Sequence, residues 1–390
     1  LKAAHGARRA LLAAAVAAAA GCVVAAWAPS MAVVIAGRGL QGLGEGVILA
    51  LCYALARDVF PPQALGRTFA AYAVAWAAGA VAGPVAGGAL TDLVDWRAAF
   101  LGLVPLIALF MALVARVLPR DRAVGDGSRP PLARLGFLTV GALALSLAGT
   151  TEGRAEVGAL LVAALLAFAM TVRLDRRAPH RLFPSVFVDL RHRVGLGLWI
   201  ITLMFLAETT VHVYVPFLMQ TGHGLTPTFI GYFVAIIALA WSSSAVAVSG
   251  LTGRAADATV ALGPGLVASG LGLSAVALDD VGLAPLAGAL VVVGLGFGLS
   301  YTFITQRVMA AAPAGEEDVT SGAIPTLGNI GSAFGAAIAG LIGNAAGFAA
   351  GIGGPGALAA GQWALAVAAA IAVLPALGAL AFVRPGREGT

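Results

Sequence analysis

Residues 79–88 read Gly-Ala-Val-Ala-Gly-Pro-Val-Ala-Gly-Gly, inside an apolar stretch running from about Thr68 to Leu90. Gly79, Gly83 and Gly87 recur every four residues, so on a helix they share one face and leave room for a neighbouring backbone. Pro84 sits mid-stretch, where it removes a backbone hydrogen bond and bends a helix. In hydrocarbon such a break survives only where other protein or a cavity satisfies the freed groups. The segment predicts a bent, closely packed helix in a multi-spanning membrane protein that moves something.

Composition leads the same way. The chain of 390 residues is 60% hydrophobic and 11% charged, where soluble domains carry about 25% charged residues. Apolar runs recur throughout, so the fold class is all-α and polytopic. Cys22 and Cys52 both fall in apolar runs and read as small buried hydrophobes rather than a disulfide or metal pair. The net charge of +5 does not point to nucleic acid, because the basic residues follow topology instead of clustering.

At about 20 apolar residues per crossing, helices are expected near 10–28, 31–54, 67–90, 98–118, 135–150, 157–173, 194–219, 228–250, 260–278, 282–307, 320–344 and 361–383. The stretch 119–134 reads as a loop. In 174–193, Leu182, Phe183, Val186, Phe187 and Leu190 are spaced to form an amphipathic helix on the bilayer surface. If the chain starts inside and alternates, twenty of its 23 Lys and Arg lie inside, from Lys2, Arg8 and Arg9 to Arg384 and Arg387. Only Arg38, Arg97 and Arg154 lie outside or embedded. That bias predicts a cytoplasmic first residue, and the expected location is the cell membrane. The first residue is Leu, and Leu-Lys-Ala-Ala-His-Gly-Ala-Arg-Arg has no helix before it; an N-terminal truncation is the expected explanation.

The order of motifs resembles the major facilitator superfamily, and within it the drug:proton antiporters of the fourteen-helix type. Gly37-Arg38-Gly39-Leu40-Gln41-Gly42 is similar to the motif of that family's fourth helix, and the run containing Gly79, Gly83, Pro84, Gly87 and Gly88 to its fifth-helix antiporter motif. Asp95-Trp96-Arg97 with Phe100 and Pro105 resembles the start of the sixth helix, and Gly6-Ala7-Arg8-Arg9 the tail of the loop between helices two and three. The resemblance implies that the twelve spans are helices three to fourteen. It divides the chain into an N-terminal half (1–118), an inserted helix pair with cytoplasmic linkers (119–193) and a six-helix C-terminal half (194–390). Gly250-Leu251-Thr252-Gly253-Arg254 and the helix 320–344, with Gly328, Gly331, Gly335, Gly340 and Gly343, look like second-half counterparts of the first-half motifs.

Two carboxylates lie deep in predicted spans, Glu45 and Glu208. A charge there costs roughly 2.5–3.5 kcal/mol on insertion scales, so it faces a cavity or a partner. A carboxyl group that takes up and releases a proton in such a place is what a proton-coupled carrier needs. Arg38, Gln41 and Glu45 are spaced by three and four and share a helix face. The resemblance implies a part for Arg38 in proton transfer, against a structural anchor at the helix end. Glu208 and His212, four apart, serve either as a proton relay or substrate contact, or as a pair holding helices together; Glu45 is alternatively placed to set substrate charge preference.

Trp241, Ser242, Ser243, Ser244, Tyr301, Gln306 and Asn329 either line a cavity or pack helices. Glu152 and Glu156 read as solvated, as does the run Glu316, Glu317 and Asp318, which is also placed to pair with inner-loop arginines. Asp58 and Arg67, flanking Pro61-Pro62, are candidates for a cytoplasmic gate.

The resulting expectation is a secondary transporter, not an enzyme: no nucleophile–base pair, metal-ligand spacing or nucleotide-binding motif stands out. It would export small amphipathic or cationic compounds by alternating access, with binding near the midplane between the halves. It would act as a monomer in the lipid bilayer, driven by protons without a cofactor. An importer or uniporter of the same fold, or a truncated membrane protein without transport, are the other readings.

Overall fold

The computed structural model describes residues 6–119, 131–149, 151, 153–179, 181–278, 282–347 and 355–384. Among them every regular element is an α-helix: α1 (Ala7–Ala26), α2 (Met31–Val59), α3 (Pro62–Leu93), α4 (Trp96–Leu101), α5 (Leu103–Val117), α6 (Leu132–Ala148) and α7 (Arg154–Arg176). Then come α8 (Arg193–His223), α9 (Pro227–Val248), α10 (Gly253–Ala277), α11 (Leu283–Ala310), α12 (Glu317–Ala345) and α13 (Pro355–Phe382). The physical reason is that in hydrocarbon a chain must satisfy its peptide groups within itself. Each of the twelve predicted spans finds its helix, α4 and α5 together making one. Among the described residues, eleven stretches are long and apolar enough to cross a bilayer, and α6 is shorter at 17 residues. At 1.5 Å per residue it reaches about 25 Å.

Helix ends follow local chemistry. Asp95 caps α4 by accepting from the backbone N–H groups of Arg97 (2.8 Å) and Ala98 (3.2 Å). α8 ends on Gly224 at φ 62°, the left-handed conformation that glycine adopts without penalty. α3 runs through Pro84, α8 through Pro216 and α12 through Pro325 without interruption.

The described residues form two compact units, one up to Leu118 and Pro119 together with Thr226–Tyr232, the other from Pro131 to Leu225 and from Phe233 onward. In the first, α1 lies along α2 and also meets α4 and α5. Ala10, Leu11, Leu51 and Val114 form its apolar centre.

In the second unit α8 is the central helix, packed against α10, α11, α12 and α13. Leu198, Ile200, Ile201 and Met204 on it are fully buried. The crossing with α12 depends on Gly331 and Gly335: a methyl group on either would collide with the carbonyl of Thr202 or Leu206. The pair α6–α7 packs together, and α6 meets α12 around Ala144, Leu145, Ala164 and Ala337. Asn344 donates to the carbonyl of Gly149 across the same contact.

The amphipathic helix expected within 182–190 does not form. That segment is a chain of turns between α7 and α8, with Phe183 and Phe187 buried. Phe187 stacks between Phe183 (4.9 Å) and Trp199 (5.5 Å). The two phenylalanines turn inward, Phe187 onto Trp199 of α8, while Leu190 stays exposed, and two carboxylates described below accept from the strap's backbone in place of a helical ladder.

The glycines separate into two groups with different consequences. Gly335→Leu forces α12 off α8, and overpacking of this kind costs about 1–3 kcal/mol. Gly79→Ala enters open space. We expect the first to lower the thermal unfolding midpoint of the purified protein clearly and the second to leave it nearly unchanged.

Candidate functional site

In the first unit, the 3–4 spacing on α2 produces a continuous polar array. Arg38 Nη1 donates to Gln41 Oε1 at 2.8 Å, and Gln41 Nε2 donates to Glu45 Oε1 at 2.7 Å. The amide is therefore oriented by its neighbours, oxygen toward the cation and nitrogen toward the carboxylate. Gln41 is buried, and its backbone is in close approach to Gly21 of α1. The Arg38 guanidinium also lies 5.9 Å from the centre of the Phe100 ring, near enough for attraction to the π-face. Arg38 and Glu45 themselves are exposed. A fixed amide thus separates an exposed cation from an exposed anion about one helical turn on either side.

The glycine motif packs differently from expectation. Among the described residues nothing lies within 4 Å of a methyl group placed on Gly79, Gly83 or Gly87. The close approaches fall on the adjacent ridge. A methyl on Gly88 would meet the carbonyl of Pro227, and one on Gly231 would meet the carbonyl of Pro84. The three glycines do share a face, but the neighbouring segment, Pro227–Gly231, lies against the face of Pro84 and Gly88. Asp92, one turn beyond Gly88, accepts from the backbone N–H of Thr228 at 2.8 Å, at the start of α9 where N–H groups lack helical partners.

Asp58 and Arg67 lie on α2 and α3, but their side chains fall outside the described residues, as does Glu152 altogether. Glu156 is exposed.

In the second unit, Glu208 is buried on α8 and its Oε1 lies 2.5 Å from His212 Nε2. The imidazole is 41% exposed, so the pair connects a buried carboxyl group to an accessible ring. One turn before Glu208, Phe205 enters an aromatic wall shared by three helices. Its ring centre lies 5.9 Å from Trp241 of α9, and 5.2 Å from Phe297 and 5.9 Å from Tyr301 of α11. Trp241 stacks on Phe297 at 4.6 Å and meets Tyr301 edge-on at 5.5 Å. Phe297 is buried; Phe205, Trp241 and Tyr301 are partly exposed. Ser243 and Ser244 turn back to the Ala240 carbonyl of their own helix. Gln306 and Asn329 are exposed.

Three charged ties were not apparent from spacing. Asp175, buried at the end of α7, pairs with Arg134 Nη1 at 2.5 Å and accepts from the backbone N–H groups of Leu182 (2.7 Å) and Phe183 (3.0 Å). Glu316 accepts from Ser185 N (2.8 Å) and Oγ (2.9 Å) and pairs with Arg181 at 3.4 Å. Of the two readings of the acidic run, pairing therefore holds for Glu316. Asp257, three residues after Arg254, pairs with Arg307 at 2.7 Å. The signals available were an acid at a predicted helix end and a surplus of basic residues nearby; the partners are set by the fold.

Long apolar helices in both units define a multi-pass membrane protein. Residues 2–336 match the family model of the Major Facilitator Superfamily, and the chain belongs to that superfamily. It is thus a membrane transporter of small molecules and not an enzyme. It is 33% identical over 341 residues to a Mycobacterium tuberculosis protein named as a probable multidrug-efflux transporter, covering 83% of this chain and 71% of that one. It is 26% identical over 338 residues to a multidrug efflux pump of Mycolicibacterium smegmatis, covering 82% and 64%. Among solved structures, a POT family transporter in complex with a thioalcohol-conjugated peptide matches with a TM-score of 0.67 at 14% identity, covering 96% of this chain and 81% of that one. The human organic anion transporter MFSD10 matches with a TM-score of 0.59 at 15% identity, covering 97% and 78%. These two likenesses concern the fold alone.

Asp175→Ala leaves Arg134 without its carboxylate and the strap without its anchor. Breaking one partner of a buried pair costs about 3–5 kcal/mol, so we expect a marked fall in the unfolding midpoint in detergent. Replacing both, as Asp175→Leu with Arg134→Met, should recover part of it.

Proposed function

We propose that this chain carries out proton-driven export of small amphipathic or cationic compounds, a drug:proton antiporter working by alternating access in the cell membrane. The observation that carries this reading is the Glu208–His212 pair one helical turn from the aromatic wall of Phe205, Trp241 and Tyr301. Partly exposed rings attract a flat or cationic molecule through stacking and cation–π contact. A carboxylate close by supplies the counter-charge, and a proton on the same carboxyl removes it. Proton and cation then compete for one group, which couples entry of one to exit of the other. The relatives named for multidrug efflux support the substrate class.

Arg38, Gln41 and Glu45 form the second polar array in this proposal. The guanidinium and the Glu45 carboxylate are held apart by Gln41, so a proton or a cation arriving at Glu45 meets an acceptor whose position is already fixed. Gly-Pro at 83–84 favours export over import because the run resembles the antiporter motif.

Cells producing the full-length protein should accumulate less of a fluorescent lipophilic cation, and a protonophore should abolish the difference. At equal expression, Glu208→Gln should lose the protonophore-sensitive part of efflux. If Glu208→Gln and Glu45→Gln both keep it in full, the coupling roles are wrong. Trp241→Ala should raise the KM for an aromatic cation about fivefold, matching roughly 1 kcal/mol of lost cation–π contact. An aliphatic substrate should be affected much less.

A further inference from the structure

The end of α7 carries a feature that transport does not use. Along two adjacent ridges the helix changes from apolar to basic: Phe168, Val172 and Arg176 on one, Ala169, Arg173 and Arg177 on the next. These residues and Val188 of the strap line an open groove on the surface of the second unit, with Phe168 and Val172 half-buried and the arginines exposed. Phe168 is set by an edge-on contact with Phe334 of α12, ring centres 6.4 Å apart. From Phe168 to Arg177 the helix rises about 13 Å at 1.5 Å per residue, with apolar residues at one end and arginines at the other.

The charge in this groove is not neutralised by nearby acids. The Asp175 carboxylate is committed to Arg134 and to the strap's N–H groups, and Glu316 to Arg181 and Ser185. Asp189, beside Val188, accepts from the backbone N–H of Arg191. Among the described residues no carboxylate pairs with Arg173, Arg176 or Arg177. Arginines at a helix C-terminus complement the helix dipole, and arginines beside a span follow from topology alone. Neither accounts for a concave apolar channel leading up to them.

We propose that this groove binds one anionic phospholipid of the leaflet it faces. Its phosphate would be held by Arg173, Arg176 and Arg177, whose guanidinium groups suit phosphate geometry. One acyl chain would lie on Phe168, Ala169 and Val172, with Val188 as the opposite wall. The strap pinned by Asp175 shapes the site, so lipid binding and the order of residues 181–192 are linked.

The test is native mass spectrometry of the full-length protein released from detergent. It is titrated with phosphatidylglycerol, with phosphatidylcholine of the same acyl chains, and with inorganic phosphate. We expect one saturable phosphatidylglycerol adduct, with phosphatidylcholine and phosphate unable to compete for it. Arg173→Gln/Arg176→Gln/Arg177→Gln should weaken it on the order of 100-fold, about fivefold per arginine. Ala169→Trp keeps every charge but fills the groove, and should remove the saturable adduct while leaving the size-exclusion profile unchanged. Equal binding of phosphatidylcholine, displacement by phosphate, or an unchanged adduct in Ala169→Trp would overturn the proposal.

Discussion

The cost of holding a carboxyl group inside hydrocarbon governs how the spans of this chain are furnished. Glu45 and Glu208 both lie near the middle of long apolar helices, Glu208 buried and Glu45 exposed on its helix. Each is satisfied by a residue four positions away on its own helix, Gln41 for one and His212 for the other. Both contacts are made within one helix. The partners differ in a way that matters. An amide donates a hydrogen bond and does not titrate near neutrality, whereas an imidazole does both. That difference is why the proposed proton exchange is assigned to the α8 pair.

The charged groups at the helix ends behave differently. Asp175 and Glu316 collect backbone N–H groups and arginines from segments distant in sequence, and they hold a strap that has no helical ladder of its own. Removing water from the strap's backbone requires such acceptors. Within the second unit this ties the α6–α7 pair to the end of α8, while the spans keep their glycine-mediated close approaches for helix packing.

What could be read from the sequence was whatever depends on a single helix. Apolar runs locate the spans, and spacings of three and four place Arg38, Gln41 and Glu45 on one face, and Glu208 with His212 on another. What escaped depends on which helices are neighbours. The face of α3 that meets the start of α9 carries Pro84 and Gly88, and nothing within 79–88 distinguishes that face from the one carrying Gly79, Gly83 and Gly87. Asp175 and Arg134 are far apart in the chain, as are Phe205, Trp241 and Tyr301, so no periodicity connects them. The strap at 181–192 has amphipathic spacing yet buries its phenylalanines against α8, because Asp175 and Glu316 offer its backbone a better arrangement than a surface helix.

The proposed competition between proton and cation at Glu208 is tested most directly by proton release on binding. Purified full-length protein in weakly buffered detergent solution is mixed with tetraphenylphosphonium while pH is followed. The account predicts a proton released as the cation binds, and its loss in Glu208→Gln with His212 intact. Release that persists undiminished in Glu208→Gln would contradict it.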